Sequence, residues 1–177
     1  MTTIIFIISI GVFSFQSEWI KYQSEESEFS VLVPGKMNHT LKEIPTEVGT
    51  IIFNTFQCTP SKDDRNALYI VHHYDYPDSL ITRDTTMLHN ELLEATVEES
   101  ITTLDGHLDY KISTRYDQHH GILYRIKYND GKAVLKSKAF IIGDHIFVLQ
   151  VYATIDNSIN NLMDYFLESF QYTGQDK

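Results

Sequence analysis

Apolar and polar positions alternate with a period of two through most of the chain. Phe29, Val31 and Val33 alternate with Ser30 and Leu32 until Pro34-Gly35 stops the run, which predicts a strand and then a turn. Leu41 and Ile44 form a shorter apolar stretch that Pro45 closes. Val48-Gly49 lead into a β-branched and aromatic run, Thr50 to Cys58, which ends at Thr59-Pro60. Ser61 to Asn66 is polar and charged and reads as a hairpin loop, and Ala67 to Tyr76 predicts the next strand, ended by Pro77.

The period then changes. Asp84 is a good N-cap because its carboxylate accepts an orphan backbone N–H in the first turn. Met87, Leu88, Leu92 and Ala95 follow at helical spacing among Glu91, Glu94, Glu98 and Glu99, which predicts a helix over 84–99. Alternation resumes with Leu108, Tyr110 and Ile112, then with Ile122, Tyr124, Ile126 and Tyr128. Asp130-Gly131 marks a tight hairpin, since the turns that match strand twist need positive φ. Ala133 to Ile142 returns to a second tight turn at Gly143-Asp144. His145 to Ala153 is the most apolar strand, which places it centrally. A last helix is predicted by Ile159, Leu162, Met163 and Phe166, with Phe170 one turn on and Asp156 or Asn157 as cap.

Strands, helix, antiparallel strands, helix is an α+β order, because parallel crossovers would need strict alternation of strand and helix. The expectation is a mostly antiparallel sheet of about six or seven strands with two main helices packed against it.

The first 16 residues contain no charge, and Ile4 to Phe15 form an almost unbroken apolar run. That run is too short for the roughly 20 residues a bilayer span needs, but it fits the apolar core of a secretory signal. A positive residue before the run, usual in such signals, is missing, and a buried first strand is the competing reading. The organisation expected is a signal over 1–16 and one domain over 17–177, exported to a bacterial periplasm or beyond, and not integral to the membrane once the signal is removed. Fourteen Lys and Arg against 24 Asp and Glu give a formal charge of −10, which repels phosphates and sets nucleic-acid binding aside. Cys58, the one cysteine, excludes an internal disulfide and reads as a small buried side chain.

Several segments carry a family resemblance. They are Glu28-Phe29-Ser30-Val31-Leu32-Val33-Pro34-Gly35, the strand begun by Gly49, and Tyr69-Ile70-Val71-His72-His73-Tyr74-Asp75-Tyr76-Pro77. Further on come Gly121-Ile122-Leu123-Tyr124-Arg125, Lys138 to Gly143, His145 to Val151 and the closing Phe166-Leu167-Glu168-Ser169-Phe170. In this order they resemble the small exported bacterial proteins of the PsbP-like superfamily, over about Trp19 to Tyr172. The resemblance implies an antiparallel sheet with helices against it. Members with assigned roles bind or assemble with other proteins, so it implies binding and no chemistry. No functional residue transfers to this sequence.

The residues themselves offer few candidates. His72 and His73 are neighbours on a strand and point to opposite faces, so they cannot ligate one ion together. His73 and Asp75 share a face and could hold a cation if another strand supplied a third ligand. His119-His120 fall in what reads as a turn. No Gly-x-Ser-x-Gly elbow and no glycine-rich phosphate loop occurs, and the paired acids Asp63-Asp64 and Glu98-Glu99 read as solvated surface. Tyr69, Tyr74, Tyr76, Tyr124 and Tyr128 are candidates for a binding surface, since a tyrosine ring gives area and its hydroxyl a hydrogen bond. Ordinary sheet packing is the alternative. The function expected is non-catalytic binding of a partner protein or envelope component, without cofactor. The alternative is a carrier of a small lipophilic ligand.

Overall fold

The computed structural model describes residues 18–47, 49–77 and 86–174. The proposed signal over 1–16 and the Asp84 cap lie outside these residues.

Strands β1 (Ile20–Ser24), β2 (Phe29–Val33) and β10 (Gln171–Tyr172) form a small sheet in the order β1-β2-β10. The main sheet has seven strands: β3 (Met37–Thr46), β4 (Gly49–Cys58), β5 (Asn66–Asp75), β6 (His107–Tyr116), β7 (His119–Tyr128), β8 (Ala133–Ile142) and β9 (His145–Thr154). Their order is β3-β4-β5-β9-β8-β7-β6, with every pair antiparallel. After β5 the chain crosses through α1 (Thr86–Leu104) to the far edge, then meanders back until β9 zips onto β5. The fold is thus α+β, and its most apolar strand, β9, is the central one, as the pattern predicted.

Both faces of the sheet are covered in the middle. One face carries the small sheet and α2 (Asn161–Glu168), with Phe29, Phe56, Phe140, Phe147, Phe166 and Phe170 all buried between them. The other carries α1, packed on Ile122, Tyr124, Ile126, Ala139, Ile146 and Val148. The tight turn at Gly143 takes φ 57° there, which glycine adopts without the steric cost of a Cβ.

Four local expectations need correction. The helix α1 runs on to Leu104, and its buried stripe is Leu93, Thr96, Val97 and Ser100, while Met87 is exposed. Leu92-Leu93 made two helical frames equally apolar. Thr96 and Ser100 tolerate burial because their hydroxyls donate to the carbonyls of Leu93 and Thr96, at 2.7 and 2.9 Å. The second helix starts later than predicted: Ile155–Asn157 is a separate 3-10 turn, Asn160 is the cap, and Ile159 is 88% exposed. The stretch of Leu41 and Ile44, not predicted as a strand, lies in one that runs through Pro45 to Thr46, which an edge strand allows because proline's missing N–H can face solvent. Finally, His119 and His120 open β7 opposite Tyr116 and Arg115, so the turn before them is shorter than expected.

The Asn160 cap is tied into the core. Its Oδ1 accepts from the N–H groups of Leu162 and Met163 at 3.0 and 3.3 Å, and its side-chain amide exchanges hydrogen bonds with Asn66. Replacing a capping Asn by Ala costs about 0.5–2 kcal/mol. Asn160→Ala should therefore lower the unfolding free energy measured in urea by that amount, whereas Asp156→Ala and Asn157→Ala should change it by less than about 0.5 kcal/mol. Equal losses at all three positions would return the cap to the 3-10 turn.

Candidate functional site

Strand β5 sends His72 and His73 to opposite faces, and each enters a different polar site. His73 is buried on the face of the small sheet, with its ring flat against Phe147 at 4.7 Å. Its register partner on β9 is Phe147, which brings His145, two residues earlier, opposite Asp75. The His145 Nδ1 lies 3.0 Å from His73 Nε2 and 3.3 Å from Asp75 Oδ1. On the other side of the ring, His73 Nδ1 is 3.5 Å from the Asn54 amide nitrogen, and Asn54 Oδ1 accepts from His39 Nε2 at 2.8 Å.

These contacts fix the protons. The Asn54 amide donates to His73 Nδ1, so the His73 proton sits on Nε2 and is donated to His145 Nδ1. A neutral His145 then cannot also donate from Nδ1 to Asp75. The arrangement brings together the His73 and Asp75 singled out in the sequence and adds His145, which sequence separation hid. The histidines are, however, bonded to each other. Among the described residues no group of three or more His, Cys, Asp or Glu side chains is placed to hold a metal ion.

His72 enters the opposite face, beneath α1, where its Nδ1 lies 3.1 Å from Thr55 Oγ1. A cavity of about 170 Å³ opens there between α1, β5 and β9, lined by Phe53, His72, Tyr74, Glu99, Gln150 and Tyr152 among others. Burial pushes the pKa of His72 down to about 4 and that of His73 down to about 3, with the nearby His145 adding to the latter.

The five candidate tyrosines do not share one surface. Tyr69 faces the small-sheet side and is fully buried, its hydroxyl donating to Asp64 at 3.0 Å and accepting from Asn66 at 2.7 Å. It pins the β4–β5 loop to the cap of α2. Tyr124 is also fully buried and bonds Ser100 at 2.9 Å, locking α1 to β7. Tyr74, Tyr76 and Tyr128 pack on the α1 side and remain partly accessible. Tyr152 joins them edge-on to Tyr128 at 6.3 Å. Cys58 is buried as expected, which pushes its thiol up to about 11 with help from Asp64.

A third feature was hardly legible in the sequence. Edge strand β3 buries only Met37, and its other nine residues, Asn38 to Thr46, are exposed. Leu41 and Ile44 are 45% and 38% accessible. Their alternation-poor text gave no sign that a full ten-residue strand would form. Among the described residues its only strand partner is β4.

No protein family and no curated protein matches the sequence. The solution structure of cyanobacterial PsbP (CyanoP) from Synechocystis sp. PCC 6803 does match, with a TM-score of 0.53 at 13% identity, covering 94% of this chain and 98% of that one. The fold is PsbP-like. PA94 from Pseudomonas aeruginosa, a protein of unknown function, is a looser match at 10% identity and a TM-score of 0.37, covering 78% of this chain and 85% of that one. The PsbP-like likeness concerns the backbone path and the order of its elements. Among the described residues no helix is long and apolar enough to cross a membrane.

The histidines set a pH dependence. Their folded pKa values of about 4 and about 3 lie below the ordinary 6.5. The unfolded chain therefore binds protons that the folded one refuses, and stability present above about pH 6.5 is lost as pH falls towards 4 and 3. Each histidine adds up to about 1.4 kcal/mol per pH unit to that slope. His73→Gln should flatten the fall in unfolding free energy between pH 6 and 4.5 by about that slope. Parallel curves for variant and parent would show that His73 is not the buried neutral base described.

Proposed function

We propose that the protein is an exported, non-catalytic binding protein that takes an extended segment of a partner chain along strand β3. The observation that carries this reading is the run of nine exposed residues on the edge of the main sheet. An edge strand presents unpaired N–H and C=O groups, a template for strand addition. Leu41 and Ile44 lie on opposite faces of the strand and would give the added segment apolar contacts on both sides. Lys42, Glu43 and Pro45 are the kinds of residue that keep such an edge from pairing with a second copy of itself.

The absence of chemistry is supported by the way the polar groups are used. Buried His73 bonds Asn54 and His145 on one face of the sheet, and buried Gln150 donates to Ser100 on the other. Export is supported by the uncharged apolar run before Glu18. A lipophilic carrier is less well supported: the cavity beneath α1 holds about 170 Å³, below the roughly 300–1,000 Å³ usual for ligand pockets, and the hollow of about 860 Å³ beside Trp19 and Tyr165 is open and lined by the charged Glu18, Asp164 and Glu168.

The test is a photo-crosslinking amino acid placed at Leu41, Ile44 or Ile112 in an exporting bacterial host. Ile112 is 54% exposed on the opposite edge strand, β6, and serves as control. Adducts of one discrete mass from positions 41 and 44, absent from 112, are expected, and they should be abolished by Ile44→Lys when the crosslinker is at 41 and by Leu41→Lys when it is at 44. Adducts of equal yield from both edges, or none from β3, would remove the reading.

A further inference from the structure

The cavity beneath α1 has a chemistry of its own, independent of the β3 edge. Glu99 is the one ionic side chain in its lining, and no Lys or Arg contributes to it. Among the described residues Glu99 has no cationic partner: its Oε2 accepts the Tyr74 hydroxyl at 3.3 Å. His72, displaced by burial to about 4, is neutral at pH 7 and does not offset that charge. Burial first, then the Glu99 carboxylate, raise the hydroxyl pKa values of Tyr74 and Tyr76, so both rings stay neutral beside it.

The walls suit a positive guest. Phe53 and Tyr74 are stacked 4.5 Å apart, and Tyr152 also lines the cavity, its hydroxyl donating to Gln150 Oε1 at 2.7 Å. Aromatic faces carry negative potential and attract ammonium groups, more strongly where water is thinned out. An anion would meet Glu99 unpaired. A wholly apolar guest would leave the Glu99 carboxylate against hydrocarbon, which costs free energy. A volume near 170 Å³ excludes a lipid chain but admits a compact polar molecule.

We propose that this cavity binds a small organic cation of the alkylammonium class, its charge against Glu99 and its alkyl groups against Phe53, Tyr74 and Tyr152. The alternative content is water alone, for which a polar cavity of this size has room.

The experiment is a titration of the intact chain, followed by calorimetry and by the ring resonances of Tyr74 and Tyr152. The probes are choline and its neutral isostere 3,3-dimethylbutan-1-ol. Choline should shift both rings and bind at least about tenfold more tightly than the alcohol, in line with a desolvated cation–π contact plus one carboxylate. Glu99→Gln should lose part of that preference, about threefold or more, and Glu98→Gln, an exposed neighbour with the same charge change, should not. Glu99 is exposed, so both variants should fold, and a matching denaturation midpoint checks this. Equal affinity for alcohol and choline would overturn the proposal. So would an equal effect of both Glu variants, or no shift at either tyrosine with choline at about 50 mM, weaker than the mM affinities that small ligands already reach.

Discussion

Phe147 on the central strand β9 is where the two layers of this protein are fastened together. It is fully buried, and its ring meets Phe170 at 5.0 Å, Phe140 at 5.9 Å, Phe29 at 6.1 Å and His73 at 4.7 Å. Phe29 comes from β2, near the start of the described chain, and Phe170 from the segment between α2 and β10, near its end. One aromatic cluster therefore holds both ends of the domain on the main sheet. Burying a phenylalanine contributes about 1.5–3 kcal/mol, and well-set ring pairs add about 0.5–1.5 kcal/mol each. The small sheet, only three strands with β10 two residues long, relies on that packing.

The same packing explains the state of His73. A ring pressed flat on Phe147 has lost most of its water, so the charged form is disfavoured and the imidazole is kept neutral. A neutral His73 is both donor and acceptor, which lets it bond Asn54 on one side and His145 on the other, while Asn54 also bonds His39. On the other side of β5 a different solution is found. There the helix α1 turns Thr96 and Ser100 inward, their hydroxyls answer its own carbonyls, and Ser100 also reaches Tyr124. Small polar residues on the buried stripe leave room that larger apolar ones would have filled, and the cavity beside His72 and Tyr74 is the result.

The sheet is thus closed in its middle and open at its rims. Layers of helix and small sheet cover β5, β9 and β8, whereas on β3 only Met37 is buried and Asn38 to Thr46 are exposed. The acidic surface, with net charge −10, keeps such an open edge soluble and discourages contact between copies of the chain.

Local text determined a good deal here. The period of two, broken at Pro34-Gly35, Asp130-Gly131 and Gly143-Asp144, located the strands. The apolar density of His145 to Ala153 placed β9 at the centre, and the PsbP-like order of elements followed. Alternation also required His72 and His73 to part. The tertiary structure decided what each of them meets. His145 is 72 residues from His73, and only the register of β9 on β5 makes them neighbours. The frame of α1 was ambiguous because Leu92 and Leu93 are adjacent, and contact with β7 and β8 chose between them. Tyrosines that look alike in sequence became locks at positions 69 and 124 and part of a half-open wall at 74 and 76. Periodicity records which side of a strand a residue takes, because that follows from backbone geometry within a few bonds. What lies on that side depends on long-range pairing, which no local pattern encodes.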